Sequence, residues 1–201
     1  MKKLEAIIAD NCAPVIMGVK ASNLVSFSRR GFCVSDEAIE GYCEMFERFG
    51  ISSFRLCGCE YSTLILFYRE DMLEKHLSRQ SARYILSRCG YPEGDHKVLL
   101  AHLASRFAEE GGFPHEVGLF LGYPPADVLG FMTRKGKECK DSGYWKVYSC
   151  VDRARTAFRL YDRCREEVSD MTKKGCGLST VLKFKGGKYY ENVDHLLVGN
   201  W

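Results

Sequence analysis

Cys12, Lys20, His115, Tyr144, Lys146 and Tyr148 carry the side chains in this sequence that could do chemistry together. Cys12 stands just before Pro14, where a helix is expected to end, and Lys20 follows shortly after. A thiol at such a terminus beside a cation has a lowered pKa and serves as a nucleophile or a soft ligand. The competing reading of Cys12 is a small buried residue wedged under a chain turn. His115 lies in Phe113-Pro114-His115-Glu116, at the expected start of a helix. It is a candidate general base for Cys12, or a haem or metal ligand, against the plainer role of a hydrogen-bonded structural histidine. Glu116 is not its dyad partner, because adjacent helical side chains diverge by about 100°. The helix dipole is reason enough for a carboxylate there.

"YWKVYS" (144–149) has the alternation of a strand. It puts Tyr144, Lys146 and Tyr148 on one face and Trp145 and Val147 on the other. One face is expected to pack in the core; for the other, core packing is the favoured reading, against lining an aromatic pocket for a flat ligand or stacking on single-stranded nucleic acid. Cys57 and Cys59 flank a hairpin glycine, but no second pair at the usual spacing completes a zinc site, so no metal site is expected. Cys43 and Cys164 lie on apolar helix faces and read as core thiols.

The elements that must position these residues follow from periodicity and punctuation. Residues 3–18 read as helical up to a break near Pro14 and Gly18. "NLVSFS" (23–28) reads as a strand. Ser35 to Gly50 reads as a helix with Ile39, Tyr42, Cys43, Phe46 and Phe49 on one face. Residues 53–69 read as a β-hairpin with Gly58 in the turn and a nearly continuous apolar second strand. Residues 70–89 form one or two helices, 95–109 another, and 151–168 the clearest. Gly90-Tyr91-Pro92 with Asp95, and Gly122-Tyr123-Pro124 with Asp127, repeat one pattern of helix stop and restart.

"FPHEVGLFLGYPPADVLGFMTRKG" (113–136) has nearly the spacing of a DNA-reading helix-turn-helix, with Gly118, Gly122, Val128 and Phe131 in the packing positions. Its second helix opens Pro124-Pro125-Ala126-Asp127, without the Arg, Lys, Asn or Gln that read base edges. Asp127 is expected to face phosphates with the wrong sign. A packing or pocket-forming hairpin at 114–135 is the favoured reading, and sequence-specific nucleic acid is disfavoured as a partner.

The chain has 201 residues, 46% of them hydrophobic and 27% charged, with a formal net charge of +3. That is an ordinary globular composition, and the charge is too small to imply a polyanionic partner. No apolar run approaches a membrane span, and no export signal accompanies the 10 cysteines. A cytoplasmic setting with free thiols is therefore expected. The fold class is α+β: several helices on a small, mostly antiparallel sheet. Residues 1–175 form one domain. Residues 176–201 are a C-terminal extension that is flexible, a late strand, or foreign to the fold.

"NCAPVIMGVK" (11–20), "FPHEVGLFLGYPPADVLGF" (113–131) and "GYWKVYS" (143–149) together resemble an uncharacterised, DUF3793-like bacterial family frequent in anaerobic Firmicutes. The resemblance covers roughly residues 5–168. Cys12, Ala13, Pro14, Gly18 and Lys20 match the family's first motif, whereas Val15 departs from its usual threonine. The resemblance implies no assigned activity and no catalytic residues. It suggests an iron or redox setting, because members are sometimes encoded near flavodoxin-like or iron-uptake genes. The expected function is accordingly that of a small-ligand-binding or accessory protein of iron or redox metabolism, partnered by a small molecule or a redox protein. Its pocket is expected to be built from Cys12, Lys20, His115 and the 144–148 strand. The alternatives are a thiol-dependent enzyme using Cys12 with His115, and a DNA-binding regulator. No cofactor and no oligomeric state can be named from the sequence.

Overall fold

The computed structural model describes residues 2–28, 34–58, 62–109 and 113–185. The order is α1 (Lys2–Ile16), β1 (Ser22–Ser28), α2 (Asp36–Glu47), β2 (Ser52–Gly58), β3 (Ser62–Tyr68), α3 (Glu70–Leu77), α4 (Gln80–Arg88), α5 (His96–Ala108), α6 (Val117–Phe120), α7 (Pro125–Arg134), β4 (Asp141–Ser142), β5 (Lys146–Val147), α8 (Val151–Lys173) and α9 (Leu178–Lys185). The fold class is α+β, as the sequence indicates.

The larger sheet is antiparallel throughout, in the order β1-β3-β2. Helices cover both of its faces, which is why β3 reads as an unbroken apolar run rather than an alternating one. Ile65 and Phe67 of β3, with Val25 and Phe27 of β1, join a core shared with α1, α2, α8 and α9. Leu66 and Tyr68 point the other way, into a second core made with α3, α4, α5, α6 and α7. Gly58 is the last residue of β2, paired with Thr63, rather than a turn residue. Cys57 sits opposite Leu64 after a bulge, and Cys59 lies outside the described residues.

Helix starts follow the local signals. The Ser35 side chain accepts a hydrogen bond from the Ala38 amide, and Asp95 accepts from Lys97 and Val98. The first helix does not stop at Pro14, as the sequence suggests, but runs through it to Ile16. The proline forfeits one intrahelical hydrogen bond. Burial of Cys12, Ala13, Val15 and Ile16 offsets that loss. The helix end is also capped from a distance: Arg69 Nε donates to the Val15 carbonyl at 2.9 Å, and a terminal nitrogen donates to that of Ile16 at 3.0 Å. Gly18, at φ +70°, then turns the chain toward β1. There the Gly18 and Val19 amides reach back to the Val15 and Pro14 carbonyls in the Schellman pattern.

At the other end of the chain, α8 continues to Lys173, beyond the expected limit at residue 168. The segment 178–185 is helical and sends Leu178, Val181 and Leu182 into the same core as α1. Packing thus reaches past residue 175, while 186–201 lie outside the described residues.

Candidate functional site: an aromatic cleft and an adjoining lysine pocket

The segment after α7 folds back on it. Residues 143–145 form a tight loop between the two-residue strands β4 and β5, so "YWKVYS" is a reversal with only Lys146–Val147 extended. Strict alternation therefore fails, and Tyr144, Trp145 and Lys146 all line one cleft of about 360 Å³. Phe113, His115, Tyr123 and Phe131 are among its other walls. Tyr123 and Trp145 lie ring against ring at 5.0 Å, and Phe158 meets Trp145 edge-on at 4.6 Å. His115 is exposed at the rim, edge-on to Phe131 at 5.0 Å.

Asp127 fixes this arrangement. It does not face outward; it is 2% exposed and ties the hairpin loop to α7. Trp145 Nε1 donates to its Oδ2 at 2.7 Å, and the amides of Tyr148 and Ser149 donate to its Oδ1 at 2.8 and 2.7 Å. Three N–H groups and the first turn of α7 thus satisfy one buried carboxylate. Sequence reasoning missed both Asp127 and Trp145 as site-forming residues. The available signal was an indole with no other evident partner on an otherwise apolar strand face.

Tyr148 lines neither this cleft nor the pocket described next. It is buried, with its ring directly over Gly130. A Cβ at Gly130 would come within 2.5 Å of that ring. Gly130→Ala is therefore expected to destabilise the protein by roughly 1–3 kcal/mol. Urea unfolding followed by circular dichroism checks this, and a change under 0.5 kcal/mol would mean that the ring simply yields.

Lys20 lies in a separate pocket of about 300 Å³, lined also by Asp10, Asn23, Leu121, Tyr123, Tyr144 and Arg165. Tyr123, Tyr144 and Leu121 border both hollows, so the two are neighbours. The Lys20 ammonium lies 5.3 Å from the Tyr123 ring centre and 5.6 Å from that of Tyr161. Burial holds its pKa down to about 8, opposed in part by Cys12.

Cys12 lines neither hollow. It is 0% exposed, and burial pushes its thiol well above the ordinary range despite the nearby lysine. A thiol held protonated and out of reach of solvent supplies no nucleophile. Of the two readings of Cys12, a reactive thiol at a helix end and a small buried residue, the structure agrees with burial, although the helix continues past it to Ile16. His115 and Glu116 diverge as expected. Glu116 is buried, but its partners are Arg106 Nε at 2.5 Å and the Tyr91 hydroxyl at 3.2 Å, a stronger reason for its presence than the helix dipole. Among the described residues no three His, Cys, Asp or Glu side chains gather as a metal-holding group.

The helix-turn-helix likeness extends only to its packing. Gly118 does let α7 approach, since a Cβ there would lie 2.9 Å from Val128. The first helix, however, is a single turn, and α7 shows solvent Ala126, Leu129, Thr133 and Arg134. That surface offers no base-reading donor near the helix start.

No helix among the described residues is long and apolar enough to cross a membrane. No curated protein and no solved structure matches the chain. The model of the family described as "Protein of unknown function (DUF3793)" matches residues 8–182.

Proposed function

We propose, for a chain that belongs to the DUF3793 family of proteins of unknown function, that it binds a small planar heterocycle in the cleft between α7 and the 141–147 hairpin. The observation that carries this reading is the cleft itself. Phe113, Tyr123, Phe131, Tyr144 and Trp145 bring five aromatic rings to its walls, aliphatic and a few polar groups complete the lining, and its volume is at the small end for ligand sites. Aromatic faces stack on flat rings. His115 and Lys146 add a hydrogen-bonding imidazole and a cation that orient an edge or a charged substituent. The hydrogen bonds to Asp127 hold Trp145 in place before a ligand arrives, which lowers the cost of binding. This reading is preferred to a thiol enzyme because Cys12 is enclosed and its proton tightly held. The iron or redox setting suggested by the family resemblance supplies the first probes.

Flavin mononucleotide, haemin and a nicotinamide nucleotide, each titrated against the full chain, test the proposal through quenching of tryptophan fluorescence. At least one is expected to bind below about 100 μM. Phe131→Ala, which trims the wall without touching the Asp127 bonds, is expected to weaken that binding tenfold or more. Absence of binding by all three probes, or equal affinity in Phe131→Ala, overturns the assignment.

A further inference from the structure

The lysine pocket holds a charge that nothing described neutralises. Lys20 is 4% exposed, on the segment joining α1 to β1, and it lines a pocket with room for a ligand. Several titratable and charged groups lie around it. Cys12 of α1 is a protonated thiol. Asp10 of α1 is gripped by Arg165 of α8 through two hydrogen bonds, at 3.1 and 2.5 Å, so these two cancel. The hydroxyl of Tyr144 donates to Asp162 at 2.8 Å. Tyr123 and Tyr161 offer ring faces. Among the described residues no carboxylate pairs with Lys20.

Buried charges in proteins are nearly always paired, because an isolated one loses its hydration without recompense. Ring faces offset part of that loss but bring no counter-charge. A second orphan lies in the same pocket: the Oδ1 of Asn23 is buried and accepts no hydrogen bond. A donor-only cation and an unused acceptor in one hollow define a complementary partner.

We infer that this pocket binds a small carboxylate through the Lys20 ammonium, with a hydroxyl group beside the carboxylate donating to Asn23. The charge count selects a monoanion. Among the charged side chains that line the pocket, Arg165 and Asp10 cancel, so a single positive charge remains on its walls, which a carboxylate balances and a doubly charged phosphate exceeds. The site shares Leu121, Tyr123 and Tyr144 with the aromatic cleft but differs from it in chemistry: its ligand is held by charge, and the cleft's by stacking.

Lactate, its neutral analogue lactamide, and inorganic phosphate, titrated against the full chain at pH 7 with NMR detection, separate the possibilities. Lactate is expected to bind at least tenfold more tightly than either of the others. Its affinity should fall about tenfold per pH unit above about 8, where Lys20 loses its proton. Lys20→Met should abolish binding while circular dichroism remains that of the native fold. In the wild-type chain, the titration midpoint of the Lys20 ε-carbon resonance should move upward when lactate is added, a readout that needs no variant. Equal binding of lactamide overturns the ionic assignment, and phosphate binding as tightly as lactate overturns the choice of a carboxylate. Lactate binding that survives Lys20→Met, or a Lys20 midpoint unmoved by lactate, overturns the site.

Discussion

Asp127→Ala is expected to cost roughly 3–5 kcal/mol of stability, a large share of what a domain of this size possesses. The substitution leaves the Trp145 indole N–H and the amides of Tyr148 and Ser149 facing a void, where all three now meet one carboxylate. Each buried donor left without an acceptor costs roughly 1–3 kcal/mol, and partial access of water limits the sum. Asp127→Asn keeps the shape but turns an amide N–H₂ toward N–H donors, so it should also destabilise, by less. Urea unfolding monitored by far-ultraviolet circular dichroism measures both. Emission from Trp145 should shift to the red in Asp127→Ala even before global unfolding, as the loop lifts from α7. A loss below 1 kcal/mol would show that Asp127 does not hold the hairpin.

Lys20→Met should act in the opposite direction and stabilise the ligand-free protein at pH 7. The folded state holds the amine's pKa near 8 against an ordinary 10.5, so its protonated form opposes folding. After allowance for the cation–π attraction that methionine forgoes, the expected gain is about 2 kcal/mol. The unfolded chain keeps its proton up to about 10.5 while the folded one releases it near 8. Between those values the unfolded state binds more protons, and wild-type stability rises with pH. Below the window the penalty is complete and constant. The advantage of Lys20→Met over wild type should therefore be greatest at pH 7 and shrink toward pH 10. A variant no more stable than wild type at pH 7, or an advantage that does not change with pH, contradicts the unpaired-ammonium account.

The elements that could be read from the sequence are those whose cause is local. Ser35 and Asp95 cap their helices with side chains two or three residues from the amides they bind. The unbroken apolar run of β3 announces a strand covered on both faces. What escaped is set by contacts between distant segments. Nothing near Pro14 reveals that Arg69 will hold the following carbonyls, so the sequence ends the helix too early. Asp127 resembles a dipole-stabilising surface carboxylate until Trp145 and its neighbours fold over it. Lys20 stands out in the sequence for its chemistry, but its enclosure does not, since lysine is rarely buried. The site residues chosen from sequence fall into separate places. Lys146 and His115 lie on the cleft, Tyr144 borders both hollows, and Lys20 belongs to the second. Cys12 and Tyr148 serve packing.

The clasp between Asp10 and Arg165 spans 155 positions of chain, and this bears on how the molecule is born. Ribosomes deliver roughly 5–20 residues per second, so α1 waits about 8–30 s after its own emergence before α8 exists to meet it. During that interval β1 and β3 can shield part of its apolar face, but the strip that belongs to α8 and α9 stays uncovered. A nascent chain in this condition is a natural client for chaperones. Docking of the last helices is therefore the event that completes this core.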